Sequence, residues 1–232
     1  MIITPIKTRI FSEGENLFSF VTSYFKTISE KSIIVVTSKI VSLAEKRTAL
    51  IEDKNTREKL IYAESEKVIS TKRTLLTIKD GTVMSSAGID ESNAGGKIIL
   101  LPKNSYKSAR FLRKRLQNKY HLKHVGVLIT DSRMVPFRAG MAGLAIGYDG
   151  FSGIQDYRGS EDIFGRKLKV SVKNVADSLA AAAVLEMGEG SEQQPLAIIK
   201  NCKAVQFTDK ICQKELFIDL KDDLYGPIFK NI

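Results

Sequence analysis

The sequence predicts a single mixed α+β unit over residues 1–232, in which helices cover mixed β-sheets. Short β-branched apolar runs alternate with helical patterns, but they do not keep the regular strand–helix–strand rhythm of a doubly wound sheet. An Asp-Gly pair between two β-rich runs indicates at least one antiparallel hairpin. Because no internal repeat and no Gly/Ser-rich or Pro-rich linker marks a boundary, the division into subdomains stays open.

Strands are predicted where short apolar runs rich in β-branched residues are bounded by polar or turn residues. The hairpin pairs Thr74–Ile78 with Thr82–Met84 across Asp80 and Gly81. Residues 140–147 are small and apolar, which fits a closely packed strand or turn. The remaining predicted strands are Ile33–Thr37, Lys97–Leu101, Val125–Thr130, Leu168–Val172 and Leu196–Ile199.

Helices are predicted from periodicity and from start and stop signals. Two of them begin with residue pairs at capping-box spacing, Asn55 with Glu58 and Asn174 with Asp177. The last helix is rich in alanine and is followed by Gly188, which is a typical stop. The predicted helices run from Asn55 to about Val68, from Ser105 to about Tyr120, and from Asn174 to about Met187.

Composition restricts the class of protein. Hydrophobic residues make up 43% and charged residues 27% of the chain, which is typical of a globular protein and excludes a collagen-like or disordered one. The apolar runs fall short of the roughly 20 residues that a spanning helix needs, and residues 1–9 lack the order of a signal peptide. Cys202 and Cys212 have no metal-binding spacing, so we expect small buried thiols and a reducing, cytoplasmic location.

The net charge of +10 favours anionic partners. Nucleic acid, an anionic membrane and small anionic substrates all satisfy that condition. Familiar catalytic signatures are absent from the sequence: there is no GxxxxGK[ST] loop, no GxGxxG, no HExxH, no CxxC and no GxSxG. His121 and His124 are a weak metal pair within a basic segment, and a solvated surface pair explains them better.

Three carboxylates lie at the ends of predicted elements, where ligand-binding groups often gather. Asp90 follows the hairpin, Asp131 closes the strand that ends at Thr130, and Glu189 follows the Ala-rich helix. Carboxylate oxygens suit Mg²⁺ or Mn²⁺. Ordinary turn acids fit the same positions, and from the residues alone that interpretation is favoured over a metal site.

Two further segments carry clustered charge. Residues 156–166 place Arg158 and Arg166 among aspartates, glycines and aromatics, which fits either a clamp for a carboxylate or phosphate or a loop held by internal ion pairs. Residues 103–123 carry eight basic side chains with no acid between them. That pattern is typical of a nucleic-acid helix, of a solvated helix face, or of one rim of an anionic-substrate site.

Seven segments in the same order and spacing give this chain a specific likeness. They include Ala87-Gly-Ile-Asp-Glu-Ser-Asn93 and Met187-Gly-Glu-Gly190, and together they resemble the coenzyme F-420 gamma-glutamyl ligase family (coenzyme F-420-0:L-glutamate ligase) from Pro5 to Ile199. The full set is Val35–Arg47, Ala87–Asn93, Val125–Asp131, Gly143–Gly147, Asp156–Arg166, Val175–Ala182 and Met187–Gly190.

The resemblance implies a family-specific α+β fold, a homodimer, and an enzyme that adds L-glutamate to a deazaflavin coenzyme. It implies GTP as co-substrate, two Mg²⁺ or Mn²⁺ ions, and phosphorylation of the acceptor carboxylate before the glutamate amine displaces phosphate. The implied metal ligands are Asp90, Asp131, Ser132 and Glu189. The implied catalytic residues are Asp90 and Asp131, with Arg158 and Arg166 as candidates for the substrate carboxylates. The implied nucleotide contacts are Thr8, Arg9, Ile10, Phe11, Ser38, Lys39, Asn93, Met187, Gly188, Gly190 and Ser191.

Two alternatives remain beside that assignment. The segment Ser132-Arg-Met-Val-Pro-Phe-Arg138 departs from the family's usual Thr-x-Gly-Arg-Pro-Trp-Arg, which leaves both the nucleotide, GTP or ATP, and the acceptor open. A folate with a terminal glutamate is a second acceptor for the same ligase chemistry. A non-catalytic nucleic-acid-binding protein that uses residues 103–123 is the least favoured interpretation, because it leaves the acidic motifs unexplained.

Overall fold

The computed structural model describes residues 1–50, 53–211 and 213–229. Its centre is a five-stranded mixed sheet in the order β1-β12-β2-β8-β9, in which β2 and β8 are parallel and the other neighbours are antiparallel. These strands are β1 (Ile2–Ile6), β2 (Ser32–Thr37), β8 (Val125–Met134), β9 (Met141–Asp149) and β12 (Leu196–Lys200). None of the helices in the described residues is long and apolar enough to cross a membrane.

Helices cover both faces of this sheet. Strand β2 shows why, since Ile34 and Val36 enter the hydrophobic core on one face while Ile33 and Val35 enter the core on the other. A strand buried on both faces is apolar throughout, as the sequence predicts here. The first core is closed by α1 (Leu17–Tyr24), α2 (Ser38–Ala44) and α4 (Ser105–Tyr120), and the second by α5 (Val175–Met187).

Two glycines of β9 let helices approach from opposite faces. A Cβ at Gly143 would lie 2.6 Å from the Ala180 carbonyl oxygen of α5, and one at Gly147 would lie 2.5 Å from the Ser105 backbone of α4. Glycines four apart would share a face in a regular strand, but the pairing register shifts by one residue at Ile146. The bulge therefore turns the second glycine towards the other helix layer.

A smaller lobe forms between α2 and α4, from residues 48–50 and 53–100. Its core consists of Ile61, Ala87, Ile89, Ile98 and Leu100, separate from the two cores of the large sheet. Its elements are β3 (Thr48–Ala49), α3 (Lys54–Ala63), β4 (Lys67–Ser70), β5 (Leu75–Lys79), β6 (Thr82–Ser85), a single 3₁₀ turn (Ser86–Gly88) and β7 (Ile98–Ile99).

The C-terminal segment, residues 213–229, connects the large sheet to the small lobe. Glu215 accepts hydrogen bonds from the Gly153 backbone (2.6 Å) and the Tyr148 hydroxyl (3.3 Å), both on the sheet side. Two residues later, Phe217 lies where a Cβ at Gly81 would stand, so only glycine leaves room for this ring. The segment ends in a short helix, α6 (Gly226–Phe229).

Most predicted elements are confirmed, including the mixed α+β class, the helix Ser105–Tyr120 and the Asn174 cap of α5. The hairpin is also confirmed: Asp80 and Gly81 have φ values of 49° and 67°, the left-handed pair that a two-residue type I′ turn requires. Cys202 is half-buried and carries a free thiol, whereas Cys212 lies outside the described residues.

Two sequence predictions are wrong. The helix predicted from Asn55 to Val68 is capped instead by Asp53, which accepts from the Thr56 amide, and it ends at Ala63 before strand β4 begins. The strand predicted over Leu168–Val172 is displaced to β11 (Val172–Asn174), which pairs with β10 (Ile154–Asp156). Val170 is 86% exposed, because the apolar run has no sheet or core to cover it.

The small lobe depends on Glu64, which ends α3 and pairs with Lys79 of β5 and, at 2.6 Å, with Arg47. Its side chain is only 17% exposed. Although burial alone would raise its pKa, the hydrogen bonds from Lys79 and Arg47 hold the pKa of Glu64 below its usual 4.5. A carboxyl with a lowered folded-state pKa stabilises the protein above its unfolded pKa and loses that contribution as the pH falls through the folded value.

We therefore expect Glu64→Gln to lower the free energy of unfolding by about 2–4 kcal/mol at pH 7, because Lys79 loses the carboxylate that compensates its buried charge. The difference from the wild type should shrink as the pH falls below about 4.5. Urea unfolding at several pH values measures both effects. Glu66→Gln, an exposed neighbour, is the control and should stay within about 0.5 kcal/mol. A deficit that persisted unchanged at low pH would contradict the ion-pair explanation.

Candidate active site

A cavity of about 1160 Å³ lies between the large sheet and the small lobe. Its walls come from the ends of β2 and β8, from the first turn of α2, from the loop after α5, and from β5 and β6. A space of this size accommodates more than one small reactant.

Parallel pairing of β2 with β8 sets the first part of the site. Thr37 pairs with Thr130, so Ser38, the first residue after β2, lies beside Asp131, which continues β8. Ser38 begins α2, and its hydroxyl donates to a carboxylate oxygen of Asp131 at 3.0 Å. Polar groups beyond the carboxyl ends of adjacent parallel strands meet at one edge, which is where sheets of this kind bind ligands.

Asp131 sits in a low-polarity setting, with its side chain 21% exposed. Burial raises the pKa of the Asp131 carboxyl above its ordinary value, although the charge of Arg133 and the hydrogen bond from Ser38 oppose that rise. A carboxylate in such a setting is stabilised in its ionised form by any further positive charge.

Asp90 joins the site from the small lobe. Lys39 Nζ lies 2.7 Å from its carboxylate and also donates to the backbone and hydroxyl oxygens of Ser92. Burial acts to raise the pKa of Asp90, but Lys39 and the hydrogen bonds from Ser92 hold it below the ordinary value. Lys39 therefore ties the first turn of α2 to the carboxylate of the other lobe.

Glu189 completes the set from the loop after α5. The Ser132 hydroxyl donates to its carboxylate at 2.5 Å, and the neighbouring Gly190 carbonyl accepts from the Asn93 side chain at 3.3 Å. The loop turns at Gly188, whose φ is 84°. Asn93 thus gives the small lobe a second polar contact with the large sheet's side of the cavity.

The amino-terminal segment forms another part of the wall. The Thr8 amide donates to the Gln193 carbonyl at 2.9 Å, which anchors this segment to the loop after α5. Arg9 pairs with Glu15 at 2.5 Å, and Phe11 packs edge-on against Phe20 at 4.8 Å between ring centres.

The structure brings most of the predicted site residues to this one cavity. Those that line it are Thr8, Arg9, Ile10, Phe11, Ser38, Lys39, Asp90, Asn93, Asp131, Ser132, Met187, Gly188, Glu189, Gly190 and Ser191. Arg158 and Arg166 do not line it and lie in the loop between β10 and β11. Arg158 pairs there with Asp156 at 2.6 Å, as the alternative of a loop held by internal ion pairs predicts. A substrate-binding role for these two arginines rests on the sequence pattern and the resemblance.

The four predicted metal ligands supply only oxygen donors, which is the chemistry that Mg²⁺ and Mn²⁺ take. Across the ranges that the structure describes, no three His, Cys, Asp or Glu side chains are grouped closely enough to hold a metal ion. The three carboxylates instead engage the lysine and serine side chains named above. The donor set fits a divalent ion, and binding one requires these carboxylates to exchange their present partners.

The sequence did not single out several residues of the cavity. Thr130 and Arg133 flank the Asp131-Ser132 pair, and each has a buried side-chain atom, Oγ1 and Nε respectively, with no hydrogen-bond partner. Their positions on either side of Asp131 are the only signal that the sequence offers for them. An apolar wall is formed by side chains from three separate segments, including Leu76, Val83, Met84, Met134 and Phe229.

The basic stretch 103–123 does not line the cavity. Two of its arginines, Arg110 and Arg113, are engaged by Asp149, and Arg113 is 5% exposed. Arg115 lies over the Phe18 ring at 4.1 Å. Part of this charge therefore holds α4 to the sheet and to α1.

Comparison with known proteins gives the family. The family described as F420-0:Gamma-glutamyl ligase matches residues 5–201. The chain belongs to the F420-0:gamma-glutamyl ligase family. The resemblance that the sequence motifs carry is thereby confirmed.

Three similar proteins, all archaeal, are named coenzyme F420:L-glutamate ligase. The protein of Methanococcus maripaludis strain C7 is 35% identical, with 92% of each chain covered. That of Methanocaldococcus jannaschii is 35% identical over 85% of this chain and 86% of its own. That of Archaeoglobus fulgidus is 34% identical over 82% and 83%. The ligase family match ends before the C-terminal segment that supplies Phe229 to the apolar wall.

The two glycines of the loop after α5 should respond differently to substitution. Gly188 has φ 84° and ψ 169°, and a Cβ there would lie 2.4 Å from the Glu192 carboxyl. We expect Gly188→Ala to lower the free energy of unfolding by about 1–3 kcal/mol, which is the range for a residue forced into this backbone region. Gly190→Ala is the control, because a Cβ there meets nothing closer than 3.4 Å. Equal losses in urea unfolding would show that φ at Gly188 is not the constraint.

Proposed function

We propose that this chain is a nucleotide-dependent gamma-glutamyl ligase that joins L-glutamate to the carboxylate of coenzyme F420-0. Family membership and the name shared by the archaeal relatives support the ligase assignment. The observation that carries the proposal is the convergence of Asp90, Asp131 and Glu189, from three separate segments, on one cavity. The segments expected to contact the nucleotide line the same space.

The reaction needs an activated acceptor, because a carboxylate is a poor electrophile at neutral pH. In the proposed sequence an acceptor carboxylate oxygen attacks the terminal phosphorus of the nucleotide, and the nucleoside diphosphate leaves. The glutamate amine then attacks the carbonyl carbon of the acyl phosphate. The carbon–oxygen bond to phosphate breaks, inorganic phosphate leaves, and the amine loses a proton as the amide forms.

Bringing these reactants together concentrates negative charge. Repulsion between two unit charges at contact is worth about 4 kcal/mol at an effective dielectric of ~20. Lys39, Arg9 and Arg133 on the cavity wall offset part of that charge. Asp90, Asp131, Ser132 and Glu189 would hold Mg²⁺ or Mn²⁺, which when bound would supply further charge neutralisation.

The nucleotide is assigned to the part of the cavity formed by the amino-terminal segment, the first turn of α2 and the loop after α5. Backbone amides and hydroxyls there, including Ser38 and Ser191, suit phosphate and ribose oxygens. GTP is the proposed co-substrate, and ATP is the alternative.

The acceptor is assigned to the apolar wall. Leu76, Val83 and Phe229 offer a surface for a planar ring system, and a deazaflavin has one. A folate also combines a planar ring with a terminal glutamate, so the same wall supports the second candidate, a folate gamma-glutamyl ligase. The names of the relatives favour the deazaflavin coenzyme.

Turnover and its dependence on Asp131 test this proposal. Enzyme, Mg²⁺, Mn²⁺, L-glutamate, GTP and ATP are incubated with coenzyme F420-0 in one tube and with tetrahydrofolate in another, and products are identified by mass spectrometry. A glutamyl adduct of the deazaflavin coenzyme is expected. If only the folate gives an adduct, the acceptor is a folate and not the deazaflavin coenzyme. The absence of an adduct in both tubes would contradict the ligase assignment.

Asp131→Asn should lower turnover at least about 100-fold, because it removes one charge from the proposed metal site with little change in volume. The variant should keep the wild-type fold, because an amide replaces a carboxylate of nearly the same size, and circular dichroism checks this. Asp222→Asn, exposed on the C-terminal segment, is the control. Full activity of Asp131→Asn at limiting Mg²⁺ would contradict the metal assignment.

We also propose a homodimer, since large apolar side chains are exposed on two projecting hairpins. Phe137 lies between β8 and β9, and Ile163 and Phe164 lie between β10 and β11, with Ile163 91% and Phe164 82% exposed. Exposed apolar groups of this kind mark protein–protein contacts. Light scattering should give twice the monomer mass of 25.8 kDa, and Phe137→Ser should shift the protein towards monomer. A monomeric wild type at micromolar concentration would contradict the dimer.

A further inference from the structure

Arg133 is a buried cation on the wall of the cavity. It lies two residues after Asp131 on β8, so both side chains project from the same face of the strand. Its side chain is 6% exposed, and it lies among the residues that enclose the space between the two lobes. Besides offsetting part of the negative charge of the reactants, Arg133 has as yet no assigned role.

Its pairing differs from that of the other cations that line the described cavity. Arg9, Lys39 and Arg57 each have a carboxylate oxygen within 2.7 Å, from Glu15, Asp90 and Glu91 in turn. The closest carboxylate oxygen to Arg133 is Oδ2 of Asp131, 3.5 Å from Nε, and that Nε has no hydrogen-bond partner. Arg133 is thus the most deeply buried of these cations and has the longest ion pair.

A neutral group holds the guanidinium in place. Nη1 donates to the Thr82 hydroxyl at 2.5 Å, and Thr82 follows the tight turn of the hairpin in the small lobe. A guanidinium carries five donors in a rigid plane, and a buried donor without an acceptor is destabilising. Asp131 lies 3.5 Å from Nε, which is long for a charged hydrogen bond, and Thr82 engages only Nη1, so the guanidinium has donors for another acceptor.

We propose that Arg133 is an oxyanion-binding residue, which donates hydrogen bonds from its guanidinium to a phosphate or carboxylate oxygen of a reactant in the cavity. Thr82 is its positioning residue. The proposal rests on the proposed function in one respect, namely that the reactants of this cavity are anions. The planar fork of arginine matches both kinds of oxyanion, and partial burial strengthens such contacts.

Calorimetry on the full chain tests this inference. Binding of GTP, ATP, L-glutamate and coenzyme F420-0 is measured separately, with Mg²⁺ present, for the wild type, Arg133→Met and Arg133→Lys. We expect Arg133→Met to weaken one class of ligand by about 10- to 100-fold and to leave the others within about twofold. Loss of nucleotide affinity identifies a phosphate, and loss of glutamate or acceptor affinity identifies a carboxylate.

Arg133→Lys keeps the positive charge, so it tests the role of the guanidinium even if Arg133→Met fails to fold. It should still lose most of the affinity for the same ligand, since an ammonium lacks the planar fork. Arg113→Lys is the matched control: Arg113 is equally buried, at 5% exposed, but it binds Asp149 outside the cavity. That variant should lower the melting temperature and leave every affinity unchanged.

Thr82 has its own test. Thr82→Val should weaken the same ligand by about 3- to 10-fold, and Thr82→Ser should restore the affinity because it restores the hydroxyl.

The inference is overturned if Arg133→Met binds every ligand with wild-type affinity, or if the wild type binds none of them. A lower melting temperature with unchanged affinities would mean that Arg133 only compensates the charge of Asp131. Failure of the proposed function gives a different result, because the wild type would then form no glutamyl product while its affinity for an oxyanion still depended on Arg133.

Discussion

The parallel pairing of β2 with β8 is the constraint on which the site depends. This pairing sets Thr37 beside Thr130. Because the two strands run in the same direction, the residues that follow them lie at the same edge of the sheet. Ser38 reaches Asp131 at 3.0 Å as a direct result. Strand β2 is also paired on its other edge, where Val36 lies opposite Leu196 of β12, so its register is held from both sides.

The second requirement is that the small lobe face this edge. Polar links help to hold it there, among them Lys39 with Asp90, Asn93 with the Gly190 carbonyl, and Arg133 with Thr82. Each joins a residue beyond the core of one lobe to a residue beyond the core of the other. The cavity is therefore enclosed by hydrogen bonds and charge, while the apolar cores on either side provide rigidity.

The sequence predicted β2, β8 and β12 best, because their apolar runs are continuous and are bounded by polar residues, whereas β1 and α1 were not predicted. It missed α2, since Ser38–Ala44 is short and follows β2 without a linker, and it placed the cap of α3 two residues late at Asn55 instead of Asp53. The acidic residues at element ends were recognisable as candidates from local pattern. Arg133 was not recognisable, because its burial depends on tertiary contacts, including the hydrogen bond to Thr82, which is 51 residues away in the sequence.

The C-terminal segment restrains the position of the small lobe relative to the large sheet. The chain enters the small lobe after α2 and leaves it before α4, so only two covalent connections join the lobe to the rest of the protein. Glu215 binds the Gly153 backbone on the sheet side, and Phe217, two residues later, packs against the Asp80-Gly81 turn of the small lobe. This short stretch of chain therefore links the two parts of the protein a third time. Widening the cavity by moving the small lobe away from the sheet would therefore have to separate Glu215 from the Gly153 backbone or Phe217 from this turn.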